Sequence, residues 1–439
     1  MKNKEISEGN SAQIHTLSHD GRGIATIQNK TTFIKGALPS ETVTYQVTQK
    51  HTHYNEAHVL NILNTSSERV TPPCSHFGVC GGCTLQHMSE EKQIELKQQT
   101  LLDQLKHFGK VTPATVLPPL QADTLGYRRK ARLGVKFVIK KNKVLIGFRE
   151  KSSRYLADLE RCVVLHPAVG ERLNELSQLI ASLENYQSIA QIEVAIGDVD
   201  IALVFRHLEN LTEEDKEKLI EFGKKYLIHI YLQPNPPALL HKIWPADGYE
   251  RLSYTLPHHQ LEFIFHPLDF TQIHLELNRS MVKQALSLLE LKTTDTVLDL
   301  FCGIGNFTLP MAQQAKHVTG IEGSQDMVNR ARENAAHNQI QNVDFAMANL
   351  IAPIAAPWMH STYNKILIDP PRVGAKEILP YFTQFAAEKI VYVSCNPATL
   401  ARDAGELVHQ HGYHLSHAGI MNMFPHTAHI EAMAVFEKR

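Results

Sequence analysis

A chain of 439 residues, 43% of them hydrophobic, is long enough to build two or three domains with a sizeable core, which excludes a disordered chain. Its 44 Lys and Arg residues balance 45 Asp and Glu residues, and the formal net charge is -1. This balance gives no global support for a polyanionic partner, so a nucleic-acid-binding surface has to come from local clustering of basic residues.

Two further features predict a soluble, cytoplasmic protein without a membrane partner. The sequence has no run of about 18 uninterrupted apolar residues, and its first residues lack the apolar core of a signal peptide. Three of the six cysteines fall between positions 74 and 83. In a large intracellular chain such crowding favours ligation of a metal or a cluster over disulfide bonds.

Short alternating apolar segments fill residues 10–64 and are separated by turn signals at Asp20-Gly21, Gly23 and Gly36. This spacing predicts the strands of a small barrel. The segments that begin at Asp20 and Gly36 resemble the TRAM domain, an oligonucleotide-binding-like barrel of RNA-modifying enzymes. Such a barrel offers a strand face and loops to a polynucleotide, whereas a purely structural barrel carries the same turns.

A glycine-rich loop follows with Cys74, Cys80 and Cys83, and a fourth cysteine lies at Cys162. Glycines permit positive φ and let backbone amides approach the sulfurs, so the loop suits an iron–sulfur cube. Zinc accepts the same four thiolates tetrahedrally, and the spacing leaves both groups open. For Cys162 the structural alternative is a buried apolar side chain.

The patterns between residues 67 and 261 predict an α+β domain. Ser89 precedes an amphipathic run that ends at Gly109, which predicts a long helix. Residues 125–165 and 191–206 alternate as the strands of an antiparallel sheet, with helices near 168–184 and 212–226. Irregular chain with prolines at positions 234, 236, 237 and 245 leads to a domain boundary near residue 262.

One basic tract lies in this region, at Arg128, Arg129, Lys130 and Arg132 beside Tyr127. It fits an RNA-binding stripe and fits an ordinary solvated strand face equally well.

From residue 262 strand and helix signals alternate, with strands predicted at residues 296–300, 318–322, 365–369 and 389–394 and helices from Phe307 and Ser324. This alternation predicts a parallel, doubly wound α/β sheet. Ligands of such sheets bind at the carboxyl ends of the strands, so we expect the functional side chains to lie where the strands stop.

The first two strand ends predict a nucleoside cofactor. Gly303 and Gly305 let a ligand pack against the backbone, and Glu322 is placed to accept two ribose hydroxyl hydrogens. The third glycine of a dinucleotide fingerprint is replaced by Thr308. With Asp299 ahead of the loop, the segment resembles the S-adenosylmethionine-binding motif instead.

The last strand ends predict covalent catalysis. Asp369-Pro-Pro-Arg has an arginine where amino-methyltransferases carry an aromatic residue, and Ser394-Cys395-Asn-Pro puts a thiol at a strand tip. Uracil carbon 5 becomes nucleophilic when a thiolate adds to carbon 6. A base must then remove the carbon-5 proton, and Glu431 is the candidate.

The Ser394–Pro397 segment and the Phe424-Pro-His-Thr-Ala-His-Ile-Glu431 segment resemble the RNA uridine carbon-5 methyltransferase family, and the resemblance spans nearly the whole chain. It implies that Cys395 is the nucleophile and Glu431 the base. In the matching segment from Phe265, it places Phe270 near the target base, and His274 stands where relatives often carry asparagine. By the same resemblance, the residues that line the S-adenosylmethionine pocket are Gln272, Phe301, Asn306, Glu322, Asn349 and Asp369, and the ligands of a 4Fe-4S cluster are Cys74, Cys80, Cys83 and Cys162.

The resemblance also implies a multidomain architecture. It comprises a TRAM barrel at residues 1–66, a central α+β iron–sulfur domain at residues 67–261 and a Rossmann-like class I methyltransferase domain at residues 262–439. Barrel and cluster together favour 23S ribosomal RNA as the substrate, with no obligate protein partner. Four alternatives stay open: the same chemistry on another ribosomal RNA uridine, the same chemistry on transfer RNA, an amino-methyltransferase, and a non-catalytic RNA-binding protein. Cys302, beside the cofactor loop, is predicted to belong to the core.

Overall fold

The computed structural model describes residues 11–234, 240–248, 250–352 and 356–439. Residues 1–5 and the prolines at positions 236 and 237, on which two sequence predictions rest, lie outside that part. The chain forms two compact units. The first comprises the chain up to Phe77 with Cys83–Thr100 and Phe424–His429, and the second comprises Gly78–Gly82, Leu101–Met423 and Ile430–Arg439. Within the described ranges, every helix is too short or too polar to cross a bilayer.

The first unit contains a six-stranded sheet that closes on itself. Its strands are β1 (Ser11–Gln13), β2 (Thr16–Leu17), β3 (Gly23–Ile27), β4 (Lys30–Lys35), β5 (Thr42–Lys50) and β6 (Tyr54–Asn64), in the order β1-β5-β6-β4-β3-β2. Only Ile14 and His15 separate the two edge strands, and their backbone N–H groups bind Glu41 and Ile24 on opposite sides. The inward side chains, among them Ile34 and Val43, are fully buried. The predicted barrel is confirmed.

Helix α1 (Glu90–Gln104) begins in the first unit and continues into the second, where a π-helical turn (Leu105–Gly109) extends it. Ser89 precedes it, and its hydroxyl oxygen accepts the Lys92 N–H at 3.3 Å, which satisfies one unpaired donor of the first turn. Glu90 and Glu91 place negative charge at the positive end of the helix dipole. The helix predicted from Ser89 to Gly109 is confirmed.

The first part of the second unit holds a six-stranded sheet, which is mixed rather than wholly antiparallel. Its strands are β8 (Lys130–Val138), β9 (Lys143–Gly147), β10 (Ile189–Ile196), β11 (Ile201–His207), β12 (His229–Pro234) and β13 (His241–Trp244), in the order β13-β12-β11-β10-β8-β9. The helices are α2 (Pro167–Gly170), α3 (Leu173–Ala181) and α4 (Glu213–Tyr226), and the short strand β7 (Thr115–Val116) belongs to a different sheet. Because helix α4 carries the chain back across the sheet, β12 runs parallel to β11, a crossover that the sequence pattern did not predict.

A hairpin of β14 (Leu252–Leu256) and β15 (Leu261–Phe265) leads into the C-terminal part of the same unit. The side-chain oxygens of Asn338 and Asn334 accept the backbone N–H groups of Glu262 and Ile264 at 2.9 and 2.8 Å. Residue 262, where the sequence predicts a domain boundary, therefore lies inside a paired strand.

The C-terminal part contains an eight-stranded sheet in the order β18-β17-β16-β19-β20-β22-β21-β7. The strands from β18 to β20 are parallel, and β22 is antiparallel to both neighbours. The predicted doubly wound sheet is confirmed, with an antiparallel addition at its end. Its elements are β16 (Thr296–Leu300), β17 (His317–Glu322), β18 (Val343–Met347), β19 (Lys365–Ile368), β20 (Lys389–Ser394), β21 (Tyr413–Met421), β22 (Glu431–Lys438), α5 (Leu275–Leu289), α6 (Thr308–Ala312), α7 (Gln325–His337), α8 (Phe382–Phe385) and α9 (Pro397–Gln410).

Candidate active site

The carboxyl ends of four neighbouring parallel strands meet at one edge of the eight-stranded sheet. Leu300 pairs with Ile321 on one side and with Ile368 on the other, and Ile368 pairs with Tyr392. Glu322 is the last residue of β17, and Phe301, Asp369 and Cys395 directly follow the other three strands. The structure therefore brings these predicted residues to the same edge, as parallel pairing requires.

The loop after β16 has the backbone of a ligand cradle. Phe301 and Gly303 adopt φ of 64° and 56°, and a Cβ added to Gly303 would meet no atom within 4 Å. Glu322 holds this loop, because its carboxylate accepts the Gly303 and Ser324 N–H groups at 3.1 Å each. Open space above Gly303, beside a carboxylate at the end of β17, fits a nucleoside whose ribose hydroxyls bind Glu322.

Asp299 supports the same loop from below and is fully buried. The hydroxyl of Thr308 donates to Asp299 Oδ2 at 2.5 Å. Burial raises the pKa of Asp299 to about 8, and the negative charges of Asp369 and Glu322 add to the rise, while the Thr308 hydrogen bond opposes it. Thr308, which stands where a dinucleotide fingerprint has its third glycine, thus anchors the cofactor loop through its hydroxyl group. Cys302 is buried, as predicted.

The side chain of Asn306 is already engaged within the protein. Its Oδ1 accepts hydrogen bonds from Tyr254 and Asn278 at 2.8 and 3.0 Å, and its Nδ2 donates to Asn278 Oδ1 at 2.9 Å. Both lone pairs of Oδ1 are used, so one N–H of Nδ2 is what remains for a ligand. Asn278 therefore orients Asn306.

The other two predicted cofactor contacts lie on loops. Asn349 is exposed just after β18, where its side-chain oxygen accepts the Ile351 N–H at 3.1 Å. It lies close to Glu322 along the sheet, because the Ala348 N–H donates to the Glu322 carbonyl at 3.0 Å. Gln272 is half-buried on the loop that leads into α5.

Cys395 and Glu431 lie at the same end of the antiparallel pair of β20 and β22. Ser394 at the end of β20 pairs with Ala432 of β22. Cys395 follows Ser394 and Glu431 precedes Ala432, and the two side chains are close enough for the charge of Glu431 to raise the pKa of Cys395. The structure thus brings together a thiol and a carboxyl that are 36 positions apart in sequence.

Charge around the pair is unbalanced. Burial raises the pKa of Cys395 to about 11, with further increases from Glu431 and Asp369, and Arg372 opposes the shift. Burial also raises the pKa of Glu431 well above its ordinary value, again with Asp369 in the same direction and Arg372 against it. Asp369 itself has its pKa raised to about 7 by burial. Arg372 is the cation that favours the thiolate here.

The loop that carries Arg372 is fixed by helix α9, through residues that the sequence analysis missed. The Arg372 carbonyl accepts the Asn396 amide at 3.0 Å and the Thr399 hydroxyl at 3.3 Å. Asp403 is fully buried and accepts the Ala375 N–H and the Tyr392 hydroxyl at 2.8 and 2.7 Å. The sequence signal that could have identified Asp403 is a single acid on the otherwise apolar face of α9.

Three members of the basic tract are hydrogen-bonded to backbone carbonyls, and a role of the tract in RNA binding stays a prediction. Arg128 donates to the Lys130 carbonyl at 3.0 Å, and Arg129 donates to the Gly197 carbonyl. Lys130 donates to the Asp269 carbonyl at 2.8 Å and to the Pro267 carbonyl, so it braces the loop before Phe270. Of the four, Arg132 alone keeps a largely exposed side chain, at 72%.

Phe270 and His274 differ in the roles that their surroundings allow. Phe270 is 67% exposed, as an aromatic side chain that receives a base must be. His274 is buried, stacks on Tyr127 with ring centroids 4.9 Å apart and contacts the Asp123 carbonyl at 2.9 Å through Nε2. Position 274 is thus structural in this chain.

The segment before Glu431 is held within the first unit. The His426 carbonyl accepts the N–H groups of Thr84 and Leu85, both at 2.9 Å, and the His426 N–H donates to Gln93 Oε1 at 2.9 Å. Lys97, also buried, donates to the Phe424 carbonyl at 2.9 Å. These contacts give Phe424 and His426 a structural role, although neither residue has a predicted chemical role.

The four predicted ligand cysteines divide between the units, with Cys74 and Cys83 in the first and Cys80 and Cys162 in the second. Cys80 and Cys162 pack against the same apolar core, and the Gly82 N–H approaches Cys80 Sγ at 3.4 Å. Among the described residues, no cluster of three or more His, Cys, Asp or Glu side chains is arranged to hold a metal ion. The shared site of the four cysteines stays a prediction.

Comparison with known families identifies two regions of the chain. A family model described as tRNA (Uracil-5-)-methyltransferase matches residues 90–352 and 358–439, and the TRAM domain model matches residues 11–60. The second match confirms that the N-terminal barrel is a TRAM domain.

Curated relatives match from end to end. The 23S rRNA (uracil(1939)-C(5))-methyltransferase RlmD of Hahella chejuensis is 50% identical, with 100% of this chain and 99% of that protein covered. The protein of the same name from Alcanivorax borkumensis is 51% identical, with coverage of 97% and 96%.

A solved structure has a similar fold. It is the tRNA (uracil-54, C5)-methyltransferase of Pyrococcus abyssi in complex with S-adenosyl-L-homocysteine, with a TM-score of 0.75, 22% identity and coverage of 97% of this chain and 100% of that one. This likeness confirms the class I methyltransferase fold of the C-terminal part.

Proposed function

Because the chain belongs to the tRNA (uracil-5-)-methyltransferase family, we propose that it methylates carbon 5 of a uridine in 23S ribosomal RNA, at the position equivalent to uracil 1939 in the names of its relatives. The observation that carries the chemistry is the proximity of Cys395 and Glu431 at the end of the β20–β22 pair. Identity of about half over the full length of relatives that share one substrate name supports the choice of RNA.

In this mechanism the Cys395 thiolate forms a bond to carbon 6 of the uracil, and the carbon 5–carbon 6 π electrons move onto the carbon-4 carbonyl oxygen. When bound, S-adenosylmethionine supplies an electrophilic methyl group on its sulfonium sulfur. The enolate electrons return to carbon 5, which takes the methyl group as its bond to the sulfonium sulfur breaks and S-adenosylhomocysteine leaves, and Glu431 then removes the carbon-5 proton. The double bond re-forms as the bond between Cys395 Sγ and carbon 6 breaks, so the thiolate is regenerated.

The electrostatics of the site match these two roles. A buried carboxylate with a raised pKa is a stronger base than an exposed one, which suits Glu431 for abstraction of a carbon-bound proton. The raised pKa of Cys395 means that the resting thiol is protonated near neutral pH and has to lose its proton before attack. Arg372 lowers the cost of the thiolate through its positive charge.

For the cofactor, we propose that Glu322 binds the ribose hydroxyls and that the backbone of Phe301 and Gly303 cradles the rest of the nucleoside. Asn349 would then lie beside the adenine, and Gln272, Asp369 and the remaining N–H of Asn306 would complete the pocket. The open space above Gly303 supports this arrangement, and so does the Glu322 carboxylate, which is held by the N–H groups of Gly303 and Ser324.

We further propose that Cys74, Cys80, Cys83 and Cys162 hold a 4Fe-4S cluster. The approach of the Gly82 N–H to Cys80 Sγ supports it, because such hydrogen bonds stabilise thiolate ligands. Iron and sulfide analysis of protein handled without oxygen should find both elements. Zinc in place of iron and sulfide would assign the thiolates to a zinc site.

Three domains at residues 1–66, 67–261 and 262–439 remain our proposed organisation. Ribosomal RNA as substrate favours a cytoplasmic enzyme that needs no obligate protein partner.

The test uses 23S ribosomal RNA that contains 5-fluorouridine, incubated with the protein and S-adenosylmethionine and then run on a denaturing gel. Fluorine at carbon 5 does not leave as a proton does, so a covalent adduct that depends on Cys395 should accumulate at one uridine. Methyl transfer without an adduct would indicate an amino-methyltransferase. An adduct with transfer RNA alone would change the substrate, and no reaction with either RNA would leave a binding role.

Glu431→Gln provides the matched control for the order of steps. This variant should transfer the methyl group to unsubstituted RNA and then remain linked to it, because elimination requires the base. Cys395→Ala should form neither product nor adduct. Normal turnover by Glu431→Gln would place the base elsewhere.

A further inference from the structure

A second basic region lies close to the basic tract at residues 128–132 and has a different character. Residues 136–154 contain seven Lys and Arg residues and one acid, Glu150, whereas the chain as a whole is nearly balanced. These residues are the end of β8, all of β9 and the loop that follows. We call residues 136–155 the basic hairpin. Its basic members are Lys136, Lys140, Lys141, Lys143, Arg149, Lys151 and Arg154.

The hairpin presents these charges because of its strand alternation. In β8 the side chains of Leu133 and Val135 point into the core, whereas those of Arg132 and Lys136 are exposed on the other face. At the tip Ile139 is 84% exposed and Lys140 lies beside it. Long basic side chains on an exposed strand face and turn are accessible to an extended polyanion.

Few acids neutralise the hairpin. Asp158 accepts Lys141 and Lys143, each at 2.8 Å, but ion pairs this exposed contribute little and are readily exchanged for another anion. Among the described residues, Lys136 and Arg149 form no ion pair. Lys136 and Arg149 are therefore available to a phosphate.

An aromatic side chain distinguishes this surface from a merely solvated one. Tyr155 is 62% exposed, and the Arg154 guanidinium lies 5.4 Å from its ring centroid. An exposed ring beside a cation is a platform on which an unpaired base stacks. Phosphate-binding cations and a stacking ring together fit RNA better than they fit an anionic lipid surface.

The length of β8 gives the distance between the tip of the basic hairpin and the target nucleotide. Lys130, at the start of β8, contacts the loop that carries Phe270, whereas Val138 at the end of β8 precedes the tip. Eight residues of strand span about 26 Å. An RNA with one uridine at Phe270 therefore has to extend well beyond it to reach the tip.

We propose that the basic hairpin is an accessory RNA-binding surface, an inference that rests on the proposed function. It contacts phosphates and one unpaired base outside the target nucleotide and supplies affinity without taking part in the chemistry. A long ribosomal RNA fragment should use it, and a minimal RNA that only fills the active site should not.

The experiment neutralises four exposed positions in the full-length protein, as Lys136→Gln, Lys140→Gln, Arg149→Gln and Arg154→Gln together. The matched control removes the same charge from helix α4, as Lys216→Gln, Lys218→Gln, Lys224→Gln and Lys225→Gln. Affinity is measured for a long 23S fragment and for a minimal hairpin RNA at several salt concentrations, and kcat is measured at saturating RNA.

We expect the hairpin variant to bind the long fragment at least about ten-fold more weakly, with a salt slope reduced by about 0.7–0.9 for each phosphate that the variant no longer neutralises. Its kcat and its affinity for the minimal RNA should stay near wild type, and the α4 control should match wild type throughout. A Tyr155→Leu variant should weaken binding of the long fragment without changing the salt slope.

Any of three results would overturn the proposal. If an active hairpin variant keeps the wild-type salt slope, the hairpin does not contact phosphates. If the α4 control loses as much affinity as the hairpin variant, the loss is an effect of net charge. Binding to anionic phospholipid vesicles that depends on the hairpin, with unchanged RNA affinity, would reassign the surface to lipid. Wild-type protein that neither binds nor methylates the fragment would refute the proposed function instead.

Discussion

Removal of the Asp403 carboxylate should destabilise the catalytic sheet far more than removal of an exposed acid. Asp403 accepts the Ala375 N–H, the Tyr392 hydroxyl and the Arg402 Nε–H at 2.8, 2.7 and 2.8 Å. Ala375 and Tyr392 are both buried. In Asp403→Ala these two donors lose their acceptor in a place that water does not reach.

An unsatisfied buried donor costs about 1–3 kcal/mol, so two of them predict a loss of about 2–6 kcal/mol in the free energy of unfolding. Arg402 adds little, because its side chain is 41% exposed and water can take the place of the carboxylate. Asp403→Asn retains one acceptor oxygen and should fall between wild type and Asp403→Ala. Glu213→Ala is the control: Glu213 is 84% exposed and pairs with Lys216 alone, which predicts a loss below about 1 kcal/mol.

The assay is urea denaturation of each variant, combined with hydrogen exchange at the Ala375 amide. We expect exchange at Ala375 to speed up in both Asp403 variants and to stay unchanged in Glu213→Ala. If Asp403→Ala unfolds at the same urea concentration as Glu213→Ala, the buried carboxylate does not hold the loop, and our account of how Arg372 is positioned fails.

Three further predictions follow from the site. Gly374→Ala should destabilise the protein more than Gly412→Ala: both glycines have positive φ, but only at position 374 would a Cβ lie 2.5 Å from Arg402 Nη2, and equal melting temperatures would contradict this. Alkylation of Cys395 by iodoacetamide, followed by mass spectrometry, should speed up about ten-fold per pH unit between pH 7 and 10, because its pKa of about 11 leaves the thiol protonated there; a flat profile would mean that the thiolate is already formed. The pKa of Asp299 is about 8 in the folded state, against 3.8 for an ordinary aspartate, so the stability of the wild-type protein should fall as the pH rises from about 4 to 8. In thermal melts Asp299→Asn should lose less stability over this pH range. Equal slopes of melting temperature against pH would refute the shift.

The sequence by itself determined the elements and the chemical types at their ends. Period-two and helical patterns give the barrel strands, helix α1 and the parallel strands of the catalytic sheet, because these patterns depend on neighbours along the chain. Since parallel strands place their carboxyl ends together, Glu322, Asp369 and Cys395 are also predicted to share one edge.

Only the tertiary structure decided how distant residues are paired. Cys395 and Glu431 lie close together because of the register of β20 on β22, and a local pattern does not carry the register between strands joined by a long helical connection. The same holds for Asn306, whose amide is satisfied by Tyr254 and Asn278 from other elements.

Burial is the second property that the sequence left undecided, and the two basic regions illustrate it. Lys130 has the sequence context of a surface cation, yet it lies half-buried against backbone carbonyls, whereas Lys136 on the same strand is exposed. Both lie at even positions of one alternating strand, so sequence periodicity places them on the same face. Whether a second layer covers that face depends on the loop around Asp269, which reaches Lys130 and not Lys136, and this contact exists only in the folded chain.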